Sequence, residues 1–135
     1  MRKGRSADGL VRAARRARAR GYAPYSRFRV GAAVLAGGEV FAGVNVENAS
    51  YGLTLCAERA AVAGAVAGGA RRIEAVAVAS GASPPAPPCG MCLQTLAEFA
   101  GPGLVVILVG SRGSRLETTL GALLPTGFSR RHLRR

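Results

Sequence analysis

Cys56-Ala57-Glu58-Arg59 and, some thirty residues on, Pro88-Cys89-Gly90-Met91-Cys92 hold all three cysteines of this 135-residue chain. Each run stands where a helix begins. The first helix starts near Thr54 or Leu55 and reaches about Ala67 before Gly68-Gly69, a common helix stop. The second runs from about Gly90 to Phe99. Between them Ile73-Glu74-Ala75-Val76-Ala77-Val78-Ala79 reads as a strand. Units of strand, helix and strand imply a parallel section of sheet covered by helices.

Working outward, residues 28–35 and 40–47 are β-like and flank Gly37-Gly38, so they pair as an antiparallel hairpin. Residues 48–54 form a loop carrying Tyr51. The segment 54–67 is almost wholly Ala, Val and Gly after Arg59, which predicts burial nearly all round. Four prolines make 83–88 a loop. Leu104-Val105-Val106-Ile107-Leu108-Val109 is a continuous apolar strand of the doubly buried kind. A short segment around 116–119 reads as an edge strand, and 119–124 and 128–135 as weakly helical. Before the hairpin, residues 6–20 predict a helix with Ser6 as cap and Leu10, Val11, Ala14 and Ala17 on one side. Its other side is arginine, which reads as a solvated face; a basic arm that touches RNA or an acidic partner is the alternative. The order is α-β-β-α-β-α-β-β-α in a single domain over 1–135, with a basic N-terminal helix (1–20) and a basic tail (129–135).

The net charge of +12 belongs to the ends. Residues 1–20 carry seven Arg and one Lys against Asp8, and Arg130, Arg131, Arg134 and Arg135 close the chain. The body, 21–129, sets seven Arg against six Glu. A protein that grips a long phosphate backbone lines its working groove with cations, so a nucleic-acid partner is not expected. Hydrophobic residues make up 49% of the chain, much of it alanine, beside 19 glycines. That composition favours close backbone approach and a core completed by partner subunits. No apolar run approaches bilayer length. Met1-Arg2-Lys3-Gly4-Arg5 is not followed by the apolar stretch of a signal peptide, with an Arg-rich transit peptide as the minor alternative. Cysteines accounted for by metal argue against disulfides and secretion, so a cytoplasmic location is expected.

Three thiolates can hold one Zn²⁺ per chain and leave its fourth position to water, the open coordination of a catalytic site. Helix N-termini favour thiolates, and Cys89 and Cys92, three apart, put both sulfurs on one side of a turn. Three thiolates and Zn²⁺ sum to a negative site, and Arg59 is the candidate cation that balances it. Glu58 is placed to take a proton from the water and pass it to a substrate nitrogen. A Cys-x-x-Cys alone fits a redox pair or half a structural zinc site, but a third cysteine with glutamate two residues on speaks against redox. Structural zinc takes four protein ligands. The only histidine, His132, sits in the charged tail and is expected to face solvent.

With these residues in hand, the chain resembles the small, homotetrameric cytidine deaminases, including blasticidin-S deaminase-like members. The resemblance rests on Tyr22-Ala23-Pro24-Tyr25-Ser26-x-Phe28-x-Val30-Gly31-Ala32-Ala33, on Asn45-Val46-Glu47-Asn48-Ala49, on the two cysteine motifs, and on Leu124-Pro125-x-x-Phe128. It implies an α/β fold of three α-β-α layers with a mixed five-stranded sheet and the N-terminal antiparallel hairpin. It also implies hydrolytic deamination of cytidine or 2′-deoxycytidine in pyrimidine salvage: zinc-bound hydroxide attacks C4 while Glu58 shuttles protons. By the same resemblance Asn45 and Glu47 bond sugar hydroxyls, Phe28 stacks on the ligand, and the Ala57 backbone reads the base with Glu58. Phe128 and Tyr51 reach a neighbouring subunit's site. One departure stands out: the family has Arg-Gln after the second cysteine of the pair, and this chain has Leu93-Gln94. It leaves Arg59 with more charge to balance and opens a second reading, a modified or antibiotic aminopyrimidine nucleoside as substrate. From a different class, a zinc-stabilised RNA-binding module is a third.

Overall fold

The computed structural model describes residues 6–133. Met1 to Arg5 and Arg134-Arg135, the outermost parts of the basic ends, lie outside the described residues. Helix α1 (Ala7–Arg18) is shorter than the 6–20 expected. Ser6 stays extended and its hydroxyl accepts the Gly9 N–H at 3.0 Å, satisfying one of the donors that a helix start leaves unpaired. The hairpin strands are β1 (Gly31–Ala36) and β2 (Glu39–Val44), joined through Gly37 and Gly38 with φ of 59° and 77°. Such a primed turn suits glycine, since only it adopts positive φ freely. Then come α2 (Ala57–Ala67), β3 (Ala75–Ala79), α3 (Gly90–Phe99), β4 (Val105–Val109), β5 (Arg115–Thr119) and α4 (Leu120–Leu123).

The sheet order is β2-β1-β3-β4-β5, antiparallel throughout except for β3 beside β4. Helix α1 lays Leu10, Val11 and Ala14 on one face, against Ala33, Leu35, Ala77, Ala79, Ile107 and Val109. The alternate residues, Ala32, Val34, Val76, Val78, Val106 and Leu108, face the opposite side, where α2, α3 and α4 bury Ala61, Val62, Leu96 and Leu120. These are the three layers expected, and both faces of β1 are covered. The outer face of α1 leaves Arg12, Arg15 and Arg16 exposed to solvent, as is Arg20 in the turn that follows.

Several boundaries fall short of the sequence reading because side chains and loops compete for the backbone. Residues 28–30 lie outside the ladder: the Val30 N–H goes to the Asn45 side chain at 2.9 Å. Val46 pairs with Leu55 rather than continuing β2, and that bridge delays α2 until Ala57. The Ile73 N–H goes to the Phe99 carbonyl, so β3 starts only at Ala75. Helix α2 is not buried all round; Ala63, Gly64 and Ala67 are exposed on this single chain. Alanine and glycine composition marks a helix that packs closely, not which of its faces the same chain covers.

Strands β2 and β3 both run antiparallel to β1 between them and so point the same way. Helices α2 and α3 follow the ends of these two strands, so both begin at the same sheet edge. Carboxyl ends of parallel strands are where open α/β sheets build their sites. Gly43 sets how closely α2 approaches. A Cβ there would stand 2.4 Å from the Ala61 nitrogen and 2.5 Å from the Ala57 oxygen, both backbone atoms of α2. Gly43→Ala is therefore expected to push α2 off the sheet and cost about 3 kcal/mol. Thermal unfolding should show this as a drop of about 10 °C. A drop of only a degree or two would mean that α2 is free to shift.

Candidate active site

Cys56 is the N-cap of α2 and Cys89 the N-cap of α3, both in extended backbone, and Cys92 lies one turn into α3. The shared edge therefore brings together three sulfurs that the chain separates. All lie within 4.8 Å of one another, with Cys89 and Cys92 at 3.6 Å. Tetrahedral zinc with Zn–S bonds of about 2.3 Å needs sulfurs about 3.8 Å apart, so these fit the ion. Among the described residues the cluster contains no fourth Cys, His, Asp or Glu ligand, which suits an open position. His132 is exposed and stacked on Phe128, with ring centroids 5.3 Å apart, and is not part of the cluster.

Burial pushes the Cys92 thiol far up, with the nearby charges of Glu58 and Cys56 adding to the effect. Burial also raises Cys89, but the backbone N–H groups of Cys92 and Met91 at the helix start bring it below the usual thiol range. The Arg59 guanidinium sits 3.6 Å from the Cys56 sulfur through Nη2, which also donates to the Thr54 carbonyl at 3.0 Å. The Cys56 hydrogen bond raises the arginine's already high pKa. Its buried Nε has no hydrogen-bond partner among the described residues. Leu93 is buried in the core beside α2 and brings no charge to the sulfurs; among the described residues Arg59 is the cation that touches them.

Glu58 is 5% exposed, and burial, its largest influence, pushes its carboxyl above the usual range. Its own backbone N–H and Arg59 oppose that shift. It shares a cavity of about 260 Å³ with Cys56, Ala57, Cys89, Phe28, Asn45 and Glu47. Asn45 is held by the chain itself: Oδ1 accepts the Val30 N–H at 2.9 Å and Nδ2 donates to the Phe28 carbonyl at 2.8 Å. One amide hydrogen is left over. Glu47 accepts the N–H groups of Tyr25 and Ser26 at 3.0 and 3.1 Å, and the Ser26 hydroxyl besides. That hydroxyl is the largest influence lowering its carboxyl's pKa.

Two of the candidate residues lie elsewhere. Tyr51 is 73% exposed and meets Tyr25 edge-on, lining an adjoining hollow that shares Ser26, Glu47 and Thr54 with the cavity. Phe128 lines a separate cleft beside Gln94, whose Nε2 donates to the Phe128 carbonyl. The cavity also contains residues that sequence reasoning passed over: Ser26, Val30, Thr54, Val78, Ser80, Ala86 and Pro87. Ser26 lay within a quoted motif. For Ser80 the available signal was a polar residue closing an alternating apolar strand.

Residues 5–109 match the family described as the cytidine and deoxycytidylate deaminase zinc-binding region. The chain is 43% identical to cytidine deaminase of Sporosarcina psychrophila, covering 93% of each sequence. It is 46% identical to that of Halalkalibacterium halodurans over 89% of this chain and 92% of the other. The crystal structure of cytidine deaminase from Burkholderia pseudomallei superposes with a TM-score of 0.87 at 46% identity, over 91% of this chain and 99% of that one.

Proposed function

The chain belongs to the zinc-dependent cytidine deaminases, and from that premise we propose that it hydrolyses free cytidine or 2′-deoxycytidine to the uracil nucleoside and ammonia. The observation that carries the reading is the buried Glu58 beside three clustered sulfurs, in one cavity with Asn45 and Glu47. Cys56, Cys89 and Cys92 hold the zinc, one per chain. What zinc supplies when bound is a water whose pKa is lowered toward neutrality, so that a nucleophilic oxygen is available at physiological pH.

The rest is done by the chain's own groups. Glu58 accepts the water's proton and gives it to N3 of the ring as oxygen adds to C4. The same carboxyl then takes the remaining proton from the oxygen now on C4 and delivers it to the amino group; the C4=O bond forms as the C4–N bond breaks, and ammonia leaves. Burial suits Glu58 to this task, because a raised pKa brings its proton affinity nearer the working pH. The spare amide hydrogen of Asn45 and the remaining lone pair of Glu47 take the sugar hydroxyls, and Phe28 flanks the ligand. Ala57 offers a helix-start N–H to the base.

We place the enzyme in the cytoplasm, where its free cysteines stay reduced. No described helix is long and apolar enough to cross a membrane. We also assign it a homotetramer in which Tyr51 and Phe128 serve a neighbour's site. Supporting this, Tyr51, Leu53, Met91 and Phe128 are exposed, as is the Ala63, Gly64, Ala67 side of α2. Leu93 lies in the core and does not line the cavity, so it gives no ground for a different base. Family membership also sets aside a pure RNA-binding module.

Loss of ultraviolet absorbance on a panel of cytidine, deoxycytidine, cytosine, blasticidin S and short cytosine-containing RNA, run with zinc content, tests the reading. Turnover of the two nucleosides is expected; one zinc per chain with neither turned over would sink it. Arg59→Gln should lower zinc affinity about 10- to 100-fold, the usual loss when a group supporting metal ligands is removed. Competition with a chelator measures this, and unchanged affinity would show that the sulfurs need no cation.

A further inference from the structure

Three polar or charged residues are buried among those described: Asn45, Glu58 and Ser80. The first two have tasks in the reaction, and Ser80 has none. It is 4% exposed and follows β3 directly, its N–H donating to the Val109 carbonyl at 3.0 Å, so the strand's alternation continues through it. Val76 and Val78 face α2 and α3, whereas Ala77 and Ala79 face α1. Ser80 thus falls on the side where the sulfurs lie, and it lines the same cavity as Glu58 and Cys89. Its oxygen accepts the Ala82 N–H at 3.2 Å, but its hydroxyl hydrogen has no acceptor among the described residues. A buried donor left unpaired beside an apolar wall is costly unless a ligand completes it.

We propose that Ser80 reads the base, its hydroxyl donating to the 2-carbonyl of the pyrimidine. The inference rests on the nucleoside reading above. Of the atoms on a cytosine edge, the amino group donates, while N3 and the 2-carbonyl accept. Glu58 serves N3, so the acceptor left for a hydroxyl is the carbonyl. That oxygen has two lone pairs, enough for both the Ala57 N–H and Ser80.

The test uses uridine and 2-thiouridine as competitive inhibitors of cytidine turnover, since sulfur is a weak hydrogen-bond acceptor. The wild type should bind uridine more tightly than its thio analogue. Ser80→Ala should weaken uridine about tenfold, the value of one neutral hydrogen bond, and barely move 2-thiouridine. Ser80→Thr, which keeps the hydroxyl, should restore the preference, with zinc content unchanged in all three proteins. A Ser80→Ala enzyme that keeps the wild-type preference would overturn the assignment and leave Ser80 as an anchor for Ala82. So would a wild type that binds both inhibitors equally, a result that needs no variant to fold. A wild type without cytidine turnover would instead overturn the deaminase reading itself, and this inference with it.

Discussion

Glu58→Gln should abolish turnover while the protein keeps its zinc and its fold. The carboxyl is asked to move every proton in the reaction: from water, to N3, and to the departing amine. An amide can do none of these. General acid–base contributions reach about 10⁴-fold, so kcat should fall by at least about that factor. The side chain is 5% exposed and the substitution nearly isosteric, so no cavity opens. The unfolding temperature should hold or rise, since glutamine removes a carboxyl whose ionisation burial opposes. Zinc content, thermal unfolding and cytidine turnover on one preparation separate the possibilities. Turnover within tenfold of wild type would remove Glu58 from the mechanism, whereas loss of zinc would show that it also supports the metal.

Cys92→Ser should lose zinc, turnover and stability together. Cys92 is the buried member of the trio and links the start of α3 to Cys56 on α2. An ion held by Cys56 on α2 and by Cys89 and Cys92 on α3 would tie the two helix starts together. Free energy of metal binding appears as folding stability, because the unfolded chain has no preformed site. Zinc content should fall from one per chain to near zero, and the unfolding temperature should drop by about 10 °C or more. Chelator should lower wild type to the same temperature and leave the variant unmoved. A Cys92→Ser protein that still holds one zinc would mean that two sulfurs and another group suffice.

Much of the fold was legible because its signals are local. Gly37-Gly38 announces the hairpin turn, the run 104–109 announces a doubly buried strand, and α3 was read to its observed ends, Gly90–Phe99. Where boundaries slipped, a long-range partner took the backbone. Asn45 captures Val30 and Phe28, fifteen and seventeen residues away, and Val46 captures Leu55. No propensity at residues 28–30 or at Leu55 carries that information.

The candidate site divides the same way. Residue types and short spacings, Cys-x-x-Cys on one helix turn and Cys-x-Glu-Arg on another, pointed to a zinc site and named a candidate acid–base partner and a candidate cation beside it. Chemistry of that kind depends on which groups are present and how they sit within one turn of helix. Tertiary structure decided the rest. Two strands running the same way bring the starts of α2 and α3 to one edge, and Gly43 lets α2 come close enough. It also separated Phe128 and Tyr51 from the cavity of their own chain, buried Leu93 in the core, and turned Ser80 into the cavity that holds Glu58. Those outcomes turn on which face of a strand or helix meets which neighbour, and only the packed sheet defines that.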